Sequence, residues 1–134
     1  MSILIKLERS NNKTKSSFGK WYAKTVSVRE IHTPEIAEII CRNTTYKEGE
    51  IKGLIAELVD EMKHQMQEGK TVVLDGFGRF RLVAESEGVS DPDSFSIKRH
   101  IRRVVCKFLP SGVRDMSGKI LRNFADGVSV EMVP

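Results

Sequence analysis

Two closely spaced glycines in an apolar, strand-like segment constrain this chain more than any other feature. The stretch LDGFGRF, residues 74–80, places Gly76 and Gly78 on either side of Phe77, with Phe80 following. Glycines inside a strand pattern mark a bulge, a sharp bend or a close backbone approach. We expect a tight turn that lets Phe77 and Phe80 pack beneath preceding helices and sends the strand outward. An ordinary hairpin turn with a buried phenylalanine explains the glycines equally well.

Two amphipathic segments precede this turn. In the first, Thr33 is expected to cap a helix and Pro34 to occupy its first position, and the residues NTT at 43–45 end it. The second runs from about Lys47 to Glu68 and stops at Gly69. Each has large apolar residues at helical spacing, which predicts one apolar stripe per helix: Ile36, Ile39 and Ile40 in the first, and Ile51, Leu54, Ile55, Leu58, Val59, Met62 and Met66 in the second.

Strand-like patterns occupy much of the remaining chain. Residues 2–8 and 20–29 predict an N-terminal β-hairpin joined by a long polar loop. The β-rich residues 71–85 and the alternating residues 97–109 predict two long strands, and the turn or loop that connects them lies at residues 88–96.

The second of these long strands changes character along its length. Its first half is charged on both faces, so that half cannot be core, whereas Val104, Cys106 and Phe108 near its end can be buried. A strand that begins in solvent and ends in a core is typical of a projecting β-ribbon.

The C-terminal part predicts a short helix within residues 111–124 and an edge strand within 128–134. The expected fold class is α+β, with two N-terminal helices, an antiparallel sheet with a projecting β-arm hairpin and a short C-terminal helix, preceded by a β-hairpin. A chain of 134 residues is expected to form one domain, with residues 1–29 as an extension and 33–125 as core and arm.

Charge is sorted into blocks along the chain. Residues 1–29 carry a net charge of +6, residues 30–93 carry −7, residues 94–122 carry +7, and the tail carries −2, which sums to the overall +4. Basic and acidic blocks of this kind indicate a partner with a strong electric field, most often nucleic acid. Solubility alone is the other explanation of the pattern.

No arrangement typical of an enzyme occurs in the sequence. There is no Gly-rich phosphate motif and no paired acid or Ser-His set, and the three histidines have no metal-ligand spacing. Cys41 and Cys106 are expected to be buried reduced thiols, with a disulfide or a metal site as the alternatives. We therefore expect no catalytic residues, no cofactor, no metal and no small-molecule substrate.

The sequence also predicts no membrane association. No apolar run approaches the roughly 18 residues that span a bilayer. The start, MSILIKLERS, is too short and too soon charged for a secretory signal. We expect a cytoplasmic, nucleoid location.

The order of parts resembles the bacterial histone-like HU family and its relative integration host factor. In that family a Gly-Phe-Gly-x-Phe turn follows the second helix, and here it reads Gly76, Phe77, Gly78, Arg79 and Phe80. The resemblance covers about residues 33–125. The leading hairpin resembles that of a divergent HU-related branch with such an extension.

This resemblance implies duplex DNA as the partner and an intertwined homodimer. In the family, β-arms wrap the minor groove and a proline near each tip wedges between base pairs. Carried over by position, the arm strands are 79–87 and 96–104. The implied DNA-binding residues are Arg79, Arg81, Pro92, Lys98, Arg99, His100, Arg102, Arg103 and Lys107.

The tip departs from the family pattern. It reads Ser90-Asp91-Pro92-Asp93, with Glu85 and Glu87 just before it, where the family has Arg-Asn-Pro followed by a glycine. Carboxylates repel phosphates, so Pro92 is interpreted either as a wedge or as a simple turn proline. The expected function is architectural binding and condensation of duplex DNA with low sequence specificity. The alternative is an HU-fold interaction module with weak or no DNA binding.

Overall fold

The computed structural model describes residues 1–16 and 18–134, so Ser17, in the predicted polar loop, lies outside the described residues. The fold is mixed α+β, as predicted. Its elements in chain order are β1 (Ser2–Arg9), β2 (Trp21–Val26), α1 (Thr33–Asn43), α2 (Glu48–Gln67), β3 (Val72–Leu74), β4 (Gly78–Ser86), a 3₁₀ turn (Pro92–Ser94), α3 (Ile97–His100), β5 (Ile101–Pro110), β6 (Gly112–Arg114), β7 (Ile120–Arg122) and β8 (Ser129–Met132).

The described strands form three small sheets. β1 lies between β2, which pairs with it antiparallel, and β8, which pairs with it parallel. β4 lies between β3 and β5 in an antiparallel sheet, and β6 and β7 form a hairpin. The predicted N-terminal hairpin and C-terminal edge strand are therefore confirmed, and the two ends of the chain meet in one sheet.

The two predicted helices are confirmed within one or two residues of their expected ends. α1 begins one residue earlier than expected, because the backbone carbonyl of His32 already accepts hydrogen bonds from the N–H groups of Glu35 and Ile36 at 3.0 and 3.1 Å. His32 is therefore the N-cap residue, and the prediction of Thr33 as the cap was wrong. No helix of the described part of the chain is long and apolar enough to cross a bilayer.

The helices leave most of their apolar stripes uncovered. Ala37 is fully buried and Ile51 is 7% exposed, and they are the only buried hydrophobic residues among those described. Leu54, by contrast, is 70% exposed. A single chain therefore supplies only part of the surface that these stripes need.

The glycine-rich stretch is both a turn and a close backbone approach. Gly76 has φ +74 within a turn that is closed by a 3.0 Å hydrogen bond from the Phe77 N–H to the Leu74 carbonyl. Gly78 has φ +153 and opens β4 directly opposite Pro110. A Cβ at Gly78 would overlap the Leu109 carbonyl oxygen and would come within 2.6 Å of the Phe108 ring.

The phenylalanines of this stretch pack against other rings rather than simply beneath the helices. Phe80 stacks on Phe108 with ring centroids 4.7 Å apart, and Phe77 contacts Phe80 at 5.4 Å. Phe77 also meets Phe124 edge-on at 5.6 Å. This phenylalanine cluster (Phe77, Phe80, Phe108 and Phe124) joins the turn, the β4–β5 pair and the C-terminal segment.

The returning strand begins at Ile101, four residues later than predicted. Residues 97–100 form one helical turn, α3, because the backbone N–H of His100 donates to the Ser96 carbonyl at 2.8 Å. The Ser96 N–H in turn donates to the Nδ1 atom of His100 at 2.8 Å. These local bonds override the alternating pattern from which a strand over 97–109 was predicted.

The expected burial of Val104, Cys106 and Phe108 was also wrong for the single chain. Val104 is 60% exposed and Phe108 is 43% exposed. Cys106 is an exposed free thiol, and Cys41 is a half-buried free thiol, so they form no disulfide. The alternation placed these residues on one face correctly, but their own chain only partly covers that face.

The predicted C-terminal helix is replaced by the β6–β7 hairpin. The Asp115 carboxylate accepts hydrogen bonds from the Ser117 N–H at 2.9 Å, the Ser117 hydroxyl at 2.6 Å and the Lys119 N–H at 2.9 Å. These bonds, the Ser117 hydroxyl first, lower the pKa of Asp115 below its usual value. Gly118 completes the turn with φ +86, a conformation that a helix does not contain.

We predict that Gly78→Ala lowers the free energy of unfolding by at least about 2 kcal/mol, because the added methyl group overlaps backbone atoms in a strained conformation. The matched control is Gly53→Ala in α2, where the added Cβ meets no atom within 4 Å beyond the adjoining residues and the nearby backbone of its own helix. The control should gain about 0.5–1 kcal/mol through helix propensity. Urea unfolding measures both changes, and two changes of the same sign would contradict this account.

Candidate nucleic-acid interface

The pairing of β4 with β5 sorts their side chains onto two faces. In the register, Phe80 lies opposite Phe108 and Leu82 opposite Cys106, and both pairs share one face because side chains alternate along each strand. This inner face looks toward α2, since Leu82 and Cys106 line an apolar groove of about 230 Å³ together with Val59, Met62, Lys63, Met66 and Gln67. The intervening residues form the outer face.

The outer face carries three of the predicted DNA-binding residues at the base of the β4–β5 ribbon. These base cations are Arg79, Arg81 and Lys107, and together with Thr71, Phe108 and Leu109 they line a cleft of about 410 Å³. All three are exposed. Among the residues that the structure describes, none of the three forms an ion pair with a carboxylate.

The positions of Arg81 and Lys107 are electrostatically unfavourable in the free protein. The two residues lie directly opposite each other across β4 and β5. Side chains in such positions have Cβ atoms about 4.5–5.5 Å apart, and like charges there destabilise the pairing. An anion that binds between the two side chains would remove this repulsion.

Further along the ribbon the charges neutralise one another. On the outer face, the Arg103 guanidinium donates to the Glu85 carboxylate at 2.7 Å. Arg102 forms a looser pair with Glu87 at 3.6 Å. Two of the predicted DNA-binding arginines are therefore already paired with the carboxylates that the sequence placed near the tip.

The tip is a closed local structure. Pro92 lies in the first turn of the 3₁₀ segment, and the Asp91 carboxylate caps this segment by accepting the Asp93 N–H at 3.1 Å. The Ser94 hydroxyl donates to the Asp91 carbonyl at 2.7 Å. Asp91 thus has a structural role in the turn, which favours interpreting Pro92 as a turn proline.

The remaining predicted residues lie on α3. Lys98 and Arg99 are exposed and have no carboxylate partner within the described ranges. His100 is half-buried, stacks on Phe95 with ring centroids 5.4 Å apart and accepts the Ser96 N–H. The His100 side chain is therefore occupied inside the tip.

Sequence reasoning missed one cation near the base. Arg122 donates to the Pro110 carbonyl at 3.0 Å, and it lines a second opening beside Arg79 and Leu109. The segment around Arg122 was predicted as a helix, so no register was available to place it. The ion pairs of Glu85 and Glu87 were missed because they depend on the register between β4 and β5, which the sequence alone does not give.

Comparison with known proteins agrees with this fold. Residues 1–123 match the HU-HIG family, described as an HU domain fused to wHTH, Ig, or glycine-rich motif. The fold is similar to the crystal structure of a "putative bacterial DNA binding protein" from Bacteroides vulgatus ATCC 8482, with a TM-score of 0.59 and 10% sequence identity. The match covers 98% of this chain and 48% of that protein, so this chain spans about half its length. No curated protein matches the sequence.

Proposed function

Because this chain belongs to the HU-HIG family of HU domains, we propose that it binds duplex DNA as an architectural protein, without enzymatic activity and with little sequence preference. The observation that carries this proposal is the uncompensated charge of Arg81 opposite Lys107, with Arg79 on the same face. Phosphate oxygens between these side chains accept charge-assisted hydrogen bonds and remove the repulsion. Phosphate contacts hold a protein on DNA but do not read its bases, hence the low specificity.

The arm has a secondary part in this proposal. Lys98 and Arg99 at the tip are free to approach phosphates. Arg102 and Arg103 contribute to DNA binding only when they break their ion pairs with Glu87 and Glu85 and contact phosphates instead. We propose that Pro92 serves the turn rather than wedging between bases, since the carboxylates of Asp91 and Asp93 gain nothing beside phosphates. His100 supports the tip and does not contact DNA directly.

A homodimer is the second part of the proposal. The chain has an accessible surface of 11,362 Å², whereas a compact monomer of its mass exposes about 7,100 Å². A second copy covers part of this excess by packing on the α2 stripe and the groove between α2 and the inner face. Dimerisation also doubles the number of base cations that one duplex meets.

One observation favours the alternative, an HU-fold interaction module with weak or no DNA binding. The Glu85–Arg103 and Glu87–Arg102 pairs, together with the two tip aspartates, leave the arm with little net positive charge. Under this alternative the base cations would serve only solubility.

In the DNA-binding function that we favour, the protein lies with the chromosome in the cytoplasm, takes no cofactor and condenses DNA.

We predict that changing Arg79, Arg81 and Lys107 together to Ala weakens binding to a short duplex by at least about tenfold. The log–log salt dependence should also flatten, by about 0.9 for each phosphate that the variant no longer neutralises. Electrophoretic shifts at several salt concentrations measure both quantities.

The matched control for this triple variant removes Arg42, Lys52 and Lys70, three exposed cations that are paired with glutamates on or beside the helices. It loses the same net charge as the first triple variant but keeps all three base cations. It should therefore keep nearly the original affinity for DNA and nearly the original salt dependence. Equal losses in both triple variants would mean that net charge, and not the base of the ribbon, determines binding.

For the tip, we predict that Pro92→Ala changes neither affinity nor DNA bending by more than about twofold, because a turn proline forms no wedge. Glu85→Gln with Glu87→Gln should instead tighten binding, since the change releases Arg103 and Arg102 toward phosphates. Fluorescence energy transfer across an end-labelled duplex reports bending. A large loss of bending in Pro92→Ala alone would show that the tip enters the groove.

For the dimer, we predict a sedimentation mass near twice the 15.1 kDa of one chain at low micromolar concentration. Leu54→Glu should shift this mass toward the monomer, because Leu54 is 70% exposed on the α2 stripe. Ala56→Glu, on the more polar side of the same helix, is the matched control and should remain dimeric. A wild-type mass of one chain at this concentration would refute the dimer.

A further inference from the structure

A second surface of the molecule takes no part in the proposed DNA interface. The three-stranded sheet of β2, β1 and β8, hereafter the terminal sheet, packs almost wholly within itself. Its register places apolar residues of all three strands on one side. This apolar face consists of Ile3, Ile5 and Leu7 of β1, Trp21 and Ala23 of β2, and Val130 and Met132 of β8, with the small polar residue Thr25 of β2 among them.

The apolar face is open to solvent in the single chain. Trp21 is 63% exposed, Val130 56%, Met132 55% and Leu7 53%. A continuous apolar patch that crosses three strands is unusual on a monomer and marks a surface for association. A small sheet also needs a covered apolar face to be stable by itself.

Most of the charge of the terminal sheet lies on its opposite side. Lys6, Glu8, Lys24 and Glu131 share that side, and Lys24 pairs with Glu8 at 3.1 Å. The apolar face has one charged residue, Arg9, at its end opposite Trp21. With Arg9 at one end as its single charge, this face offers little to select nucleic acid or a strongly charged protein, whereas it matches an identical, largely uncharged face.

We propose that the apolar face of the terminal sheet is a self-association surface, whose occupant is the same face of a second copy of this chain. The two sheets pack face to face about 10 Å apart, as in a β-sandwich. With the facing strands antiparallel about a two-fold axis, Trp21 of each copy lies over the partner's Ala23 and Thr25. Large side chains thus meet small ones, and the contact closes on itself.

The surface area of the chain leaves room for this contact in addition to the dimer proposed above. The excess over a compact monomer is about 4,300 Å² per chain. An obligate dimer interface removes about 1,000–2,500 Å² from each partner. One interface through α2 and the inner face therefore leaves part of the excess uncovered, and the terminal sheet accounts for some of it.

Intrinsic fluorescence tests the proposal directly, because Trp21 is the only tryptophan of the chain. As the full-length protein is concentrated from nanomolar to tens of micromolar, its emission should shift to shorter wavelengths and acrylamide quenching should fall by at least about twofold, since the indole leaves water. An indole that stays fully accessible at every concentration would overturn the proposal, and would mean that any partner of this face is a different molecule.

A variant pair assigns the association to this face. Leu7→Lys places a charge within the apolar face and keeps the Trp21 reporter, so the mass measured by light scattering at tens of micromolar should fall by half relative to the wild type. Tyr22→Lys adds the same charge on the opposite side, across from Glu8, and should leave the mass unchanged. If Leu7→Lys kept the full wild-type mass, the contact would lie elsewhere.

The self-association of the terminal sheet can be tested independently of DNA binding. Leu7→Lys should bind one short duplex with wild-type affinity, because Leu7 lies outside the β4–β5 ribbon. Far-ultraviolet circular dichroism confirms that the variant is folded. A folded Leu7→Lys protein that binds DNA but has half the mass supports the self-association surface, whatever the base cations contribute.

Discussion

The register between β4 and β5 is the constraint on which the rest of the structure depends. It runs from Gly78 opposite Pro110 to Ser86 opposite Ile101, with one irregularity after Glu85. Only glycine fits at the start of this register, because the backbone at Leu109 occupies the space of a Cβ. A slip by one residue would turn the base cations toward α2 and the phenylalanines toward water, since side chains alternate between faces.

This register also divides the outer face into two electrostatic regions. Near the arm, Glu85 meets Arg103 and the charges cancel, whereas at the base Arg81 meets Lys107 and the charges add. The like-charged pair of the β4–β5 ribbon thus lies at its base, beside the phenylalanine cluster. If the terminal sheets join two copies of the chain as proposed, each assembly presents several sets of base cations. Two duplexes that bind to different sets would be brought together.

The sequence predicted the elements whose signals are local and repeated. The α2 stripe, Gly69 and the turn at Gly76 lie where their patterns indicated. The errors have specific causes. A short helix was predicted within residues 111–124, but the Asp115 carboxylate organises a tight turn there. The His100 side chain similarly closes a helical turn in place of a strand. Pairing of Glu85 with Arg103, 18 residues apart, depends on the register and was not predictable from either strand alone.

The most direct measurement for the central claim is the salt dependence of wild-type affinity for a short duplex of random sequence. If the base cations of two chains contact phosphates, about six contacts give a slope of log K against log salt near −5. A change of base sequence should leave both the affinity and the slope nearly the same. Binding that is absent at low salt, or that is insensitive to salt, would contradict the account and would favour a module that kept the fold without the DNA interface.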